Sequence, residues 1–140
     1  MRGPVREPPA PSRLRLVLPA RPENVSLVRG AVEAAAEERG LPRALVSDMR
    51  LAVTEACTNV VRHAYAGEGD LDVVIELTDS ATRVVVEDQG CGIGHSPDRT
   101  GPGLGLPLIA ALVTKLKIQP GPTSGSRLSM SFGPPPIEAA

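Results

Sequence analysis

Tryptophan is absent, and Tyr65 and Phe132 are the only aromatic side chains in 140 residues. A core built from this chain must be filled by Leu, Val, Ile and Ala. A surface that reads nucleic acid by stacking aromatics between basic residues has no material here. Charge of one sign is also lacking: 15 basic residues stand against 16 acidic ones, for a formal net charge of −1. Direct nucleic-acid binding is therefore not expected. There are two cysteines, Cys57 and Cys91, too few and too isolated for a disulfide framework or a metal knuckle. No apolar run is long enough for a membrane span and no secretory leader opens the chain, so a cytoplasmic location without membrane contact is expected.

What is abundant is glycine and proline, 14 and 15 residues, and they punctuate the chain. Residues 1–11 carry Pro4, Pro8, Pro9 and Pro11 and read as a flexible N-terminal arm. Residues 12–133 read as one domain, and residues 134–140, opened by Pro134-Pro-Pro, as a tail. Arg13–Leu18 alternates like a strand and is stopped by Pro19. Asn24 or Glu23 opens a helix through Val28, Ala31, Val32, Ala35 and Ala36 that stops at Gly40. A second helix starts near Pro42 and continues to about Ala66. Its apolar residues Leu45, Met49, Ala52, Ala56, Val60 and Ala64 recur at steps of three and four. Leu71–Leu77 and Thr82–Asp88 read as a hairpin across Asp79-Ser-Ala. An apolar helix follows the Gly/Pro loop that ends near Gly103, and Lys115–Ile118 and Ser126–Phe132 are the last strands. The order β-α-α-β-β-α-β-β predicts an α+β fold, a two-layer sandwich with a mixed sheet and its helices on one face.

Three stretches carry polar chemistry. On the second helix, Glu55, Asn59 and His63 form a stripe whose drift, roughly 80° over two turns, carries it toward the buried face. Polar groups there need partners, so this helix is expected to line a polar cavity. The Asn59 carbonyl oxygen suits a hard divalent cation, and the Glu55 carboxylate suits a proton acceptor. His63 fits either the cavity or a hydrogen-bonded place in the core. Arg62 reads as a surface charge. At a strand end, Asp88 is placed to accept from an exocyclic amine, with Gly90 and Gly92 allowing a flat ring close to the backbone. Gly101-Pro-Gly-Leu-Gly105 opens a helix whose free N–H groups favour phosphate.

These stretches, EACTNVVRHAY, DQGCG and GPGLGL, resemble in chain order the N box and the two glycine boxes of the GHKL ATPases. The Glu-Ala-x-Thr-Asn-x-x-x-His-Ala-Tyr form is similar to the anti-sigma factor serine/threonine kinases, a histidine kinase-like ATPase group. The resemblance spans residues 13–132. It implies the Bergerat ATP-binding fold, with ATP and Mg²⁺ as cofactors. It assigns Mg²⁺ to Asn59, the adenine amino group to Asp88 and the role of general base to Glu55. Gly90, Gly92 and Ile93 would be nucleotide-binding, and Gly103, Leu104, Gly105 and Leu106 would meet the phosphates. Gly125-Ser126 stands where the family often has Gly-Thr, making Ser126 a further contact. Arg99 is the only basic side chain in the short loop between Gly92 and Gly103, and is the candidate for the terminal phosphate. The implied function is an ATP-dependent protein kinase that phosphorylates a small antagonist protein and sequesters a sigma factor, as a possible homodimer. The alternative is a non-catalytic ATP-binding module that gates a sigma factor or another protein. A histidine kinase would carry a phosphoacceptor helix pair, and a gyrase-like ATPase a transducer domain; neither is read in this chain.

Overall fold

The computed structural model describes residues 12–79, 81–90, 105–122 and 124–133. The expectations of a flexible arm over 1–11 and a tail over 134–140 lie outside them. Strand β1 (Ser12–Pro19) leads into helix α1 (Pro22–Glu38) and helix α2 (Arg43–Asn59). A π-helical turn (Val60–Ala64) extends α2. Strands β2 (Asp70–Leu77) and β3 (Thr82–Asp88) follow, then helix α3 (Gly105–Leu112) and strands β4 (Lys115–Pro120) and β5 (Ser126–Phe132). Five strands in the order β1-β2-β3-β5-β4 form one sheet. The three helices share one layer, with α2 packed between α1 and α3.

The two-layer α+β reading holds, but the sheet is not mixed, because all four strand pairings are antiparallel. The α1–α2 hairpin returns the chain to the end of the sheet it left, so β2 runs against β1, with Pro19 opposite Asp70. The α3 crossover does make β4 run in the same direction as β3. However, β5 lies between the two and separates what would have been a parallel pair.

Helix α1 opens one residue before Glu23 and two before Asn24, with Pro22 in its first turn, where a missing N–H costs little. Asn24 instead donates from its side-chain amide to the Pro19 carbonyl at 2.7 Å, tying strand to helix. The expected stop at Gly40 is a left-handed residue, φ 73°. Gly40 N–H donates to Glu37 O at 2.9 Å and Leu41 N–H to Ala36 O at 3.1 Å, the paired bonds of a Schellman end.

Because α2 has a helix on either side and the sheet beneath, it buries a wider face than a single stripe. Met49, Ala52, Val53, Ala56 and Cys57 are all sequestered with Val28, Val32, Val73, Ile75, Ile109 and Met130. Burial pushes the Cys57 thiol from 9.0 up to about 12. A raised acid keeps its proton in the fold after the unfolded chain has lost its own. Stability is therefore expected to fall as pH rises from about 9 toward 12, by roughly 1.4 kcal/mol per pH unit from this group. Denaturation midpoints of the wild type and Cys57→Ala, measured across that range, check it: the alanine variant should show the shallower decline.

Candidate active site

Strand β3 delivers Asp88 to its buried end, opposite Ser126 at the start of β5. Sheet register therefore sets one carboxylate beside one hydroxyl. The Ser126 Oγ–H donates to Asp88 Oδ2 at 2.7 Å, and the Gly90 N–H donates to Asp88 Oδ1 at 2.9 Å. A carboxylate offers about four lone-pair positions, so two remain for a ligand's donor. Gly125 (φ 77°) lies tight against this group, and a Cβ there would reach 2.7 Å from Asp88 Oδ1 and collide with the Asp88 carbonyl.

The end of the α2 segment is fastened to the same place. Gly90 packs on the Ala64 carbonyl, which a Cβ at 90 would strike. The Tyr65 hydroxyl donates to Asp70 O at 2.6 Å and accepts the Gln89 N–H at 2.9 Å, its ring lying against Gly69. Ser124 Oγ–H donates to Gln89 O at 2.7 Å. Asp88, Gln89 and Gly90 are thus held from three sides. Gly90→Ala is expected to cost about 1–3 kcal/mol, as overpacking against a backbone atom does. A lower thermal midpoint accompanied by weakened nucleotide binding checks it.

Glu55 and Asn59 are half-buried on one face of α2, a helical turn apart. In the π turn, hydrogen bonding from i to i+5 puts Ala64 one turn beyond Asn59. Since Ala64 touches Gly90, the Asn59 end of the helix adjoins the Asp88 turn. The structure thereby brings together two of the three stretches singled out in the sequence. His63 is a correction: it is exposed rather than lining a cavity or the core. An α-helix drifts about 40° every four residues. The wider π turn takes smaller angular steps, cancels that drift and leaves His63 toward solvent. Arg62 is exposed, as read.

Ser126 opens β5 beside Asp88. Gly105 begins α3, and Leu106 is partly buried against the core. Gly92, Ile93, Arg99, Gly103 and Leu104 lie outside the described residues, as does Cys91. Tyr65 and Ser124 were missed as supports. The signal for Tyr65 was a lone hydroxylated aromatic at a helix end followed by Gly67 and Gly69. Among the described residues no group of three or more His, Cys, Asp or Glu converges on a metal position. A cleft of about 380 Å³ lined by Arg39, Leu41, Leu45, Thr78, Asp79 and Phe132 opens at the Thr82 end of β3. It lies at the far end of the sheet from Asp88 and contains none of the predicted site residues.

A buried carboxylate at a strand end, seated against a helix bearing Glu and Asn, agrees with the comparisons to known proteins. The family model described as histidine kinase-like ATPase domain matches residues 18–132, and the chain belongs to this family. It is similar to the serine-protein kinase RsbW of Bacillus velezensis, 32% identical over 76% of this chain and 77% of that one. The RsbW of Halalkalibacterium halodurans is 32% identical over 78% of this chain and 76% of the relative. Among solved structures it resembles the RsbU and RsbW domains of Rv1364c from Mycobacterium tuberculosis. That match has a TM-score of 0.69 at 25% identity and covers 86% of this chain and 32% of that one.

Proposed function

We propose that this chain is an ATP-dependent serine/threonine protein kinase of the anti-sigma type. It phosphorylates a serine on a small antagonist protein and, when not so engaged, holds a sigma factor. The observation that carries the reading is Asp88: a buried carboxylate, oriented by Ser126 and Gly90, with acceptor capacity left over beside the helix of Glu55 and Asn59. That capacity suits the exocyclic amine of adenine. The start of α3 is the described part of the stretch that the resemblance assigns to the phosphates.

The donor set fits Mg²⁺. This ion keeps several waters, takes phosphate oxygens and needs only one or two protein ligands. A half-buried Asn59 at a helix end suits that partial role. When bound, Mg²⁺ would neutralise charge on the phosphate oxygens. Glu55, one turn from Asn59, accepts the proton of the substrate serine as its oxygen attacks the γ-phosphorus and the bond to the β-phosphate breaks. The rest is positioning: β3 and β5 fix the purine end, and α2 fixes the base. Among the described residues no helix is long and apolar enough to cross a membrane, in keeping with a cytoplasmic regulator.

The test is incubation with γ-labelled ATP and the candidate antagonist protein. Label on a serine, lost in Glu55→Gln, is the expected result. Tight ATP binding and partner binding without label would instead establish a nucleotide-gated switch.

A further inference from the structure

The helices cover one face of the sheet and leave the other open. Ser126, Leu128 and Met130 of β5 are buried on the helix side, and register sets Pro120, Ile118 and Leu116 of β4 beside them. Alternation then puts Lys115, Lys117 and Gln119 on the open face, next to Ser131, Ser129 and Arg127. The acids of that face, Asp70, Asp72, Glu76 and Glu87, all lie on β2 and β3. Asp72 and Glu76 are engaged there by Arg15 and Arg83, each at 2.7 Å. Strands β4 and β5 contain no acid, and neither lysine makes an ion pair among the described residues.

Strand β4 is also an edge, unpaired on its outer side among the described residues. Gly121 N–H donates to Gly125 O at 3.1 Å, one step beyond the Pro120–Ser126 pair. Antiparallel bonding alternates, so the odd residues of β4 turn their backbone groups toward β5 and the even ones outward. Leu116 and Ile118 therefore offer N–H and C=O to the outside. Pro120 shares their parity, where its missing N–H breaks no bond of the sheet. Ile118 is 46% exposed, so an apolar place stays open beside the lysines.

We propose that the β4 edge docks an extended segment of a partner protein in which acidic and apolar residues alternate. The segment adds as a sixth strand, antiparallel like its neighbours. It bonds to Leu116 and Ile118, which leaves Lys115 and Lys117 in non-hydrogen-bonded pairs, with Cα atoms about 4.5 Å from the residue opposite. Side chains are closest in such pairs, and a carboxylate opposite each lysine completes an opposite-charge pair. The residues between the acids fall on the helix side, where apolar groups cover Ile118. Main-chain bonds supply attachment, and the alternation supplies selectivity. Lysines protect an edge from general pairing; here they turn away strands that bring no acid.

A second copy of this chain does not supply such a segment. Strand β1 carries Arg13 and Arg15. Pairing β4 with β4 about Leu116 or Lys117 sets lysine against lysine. About Ile118 it sets Leu116 opposite Pro120, which returns no N–H. The stretch that does alternate acid with apolar, Asp70–Leu77, is already paired on both sides.

The test uses the full chain and a labelled, end-capped peptide of alternating glutamate and valine. Its controls are the same residues in two blocks and a lysine–valine version. Fluorescence anisotropy should show saturable binding of the alternating peptide, about tenfold weaker binding of the block peptide and none of the lysine version. Lys117→Glu, at an exposed position, should keep the parent circular dichroism, weaken the glutamate peptide about tenfold or more and admit the lysine peptide. Hydrogen exchange should slow at the Leu116 and Ile118 amides when the peptide binds. The proposal is overturned if no binding saturates below about 1 mM, if the block peptide binds equally, or if Lys117→Glu binds as the parent does. It is equally overturned if protection falls elsewhere, or if anionic vesicles or duplex DNA engage these lysines and the peptide does not. No arm of the test involves ATP, so the kinase reading and this one fail separately.

Discussion

Asp88→Asn is expected to leave the protein folded and to remove most of its affinity for ATP. The amide has the shape of the carboxylate, and both of its neighbours tolerate it. Its oxygen accepts the Gly90 N–H, and its NH₂ donates to Ser126 Oγ, whose proton turns elsewhere. Exchanging charge-assisted bonds for neutral ones costs about 1–2 kcal/mol of stability. The ligand fares worse. The adenine amine loses an ionised acceptor, worth about 1.5–3 kcal/mol or roughly 10- to 100-fold in affinity. It also meets a second donor in its place. Guanine carries a carbonyl where adenine carries the amine, so GTP should lose little or gain. Calorimetry with both nucleotides on both proteins reads this directly. A variant that binds ATP as the parent does, with the same preference over GTP, would remove Asp88 from the purine pocket.

Much of this architecture was legible because it is periodic or punctuated. The α2 stripe, the 79–81 hairpin and the Gly40 stop each rest on one local rule, and each stands in the structure. Asp88 was legible for a different reason: an acidic residue closing a β-rich run just before Gly-x-Gly has few structural duties that need a charge. Long-range order was not legible. Nothing between Gly121 and Ser126 announces that β5 will insert beside β3, and that insertion both removes the parallel pair and brings Ser126 to Asp88. The π turn was missed because Val60–Ala64 has the same apolar spacing as the helix before it. Only the tertiary contact of Ala64 with Gly90 distinguishes it. That single miss is what misplaced His63.

The largest effect is expected from Glu55→Gln. Glutamine keeps the volume and the half-buried position of Glu55 on α2, one turn from Asn59, but it does not take a proton from an attacking serine. A positioned general base contributes about 10²- to 10⁴-fold, equivalent to about 3–5 kcal/mol of barrier. Phosphoserine formation on the antagonist protein should fall by that factor. ATP affinity should stay within about twofold, because in the proposed site Asp88, and not Glu55, holds the purine. The two substitutions therefore separate along different axes: Asp88→Asn raises the nucleotide Kd, and Glu55→Gln lowers kcat under saturating ATP. This separation is also what distinguishes a kinase from a nucleotide-gated binder. In a binder neither residue has a turnover to lose, and Glu55→Gln would be silent in every binding assay. If Glu55→Gln transfers phosphate at the parent rate, or loses ATP along with it, proton acceptance at residue 55 is not part of the chemistry.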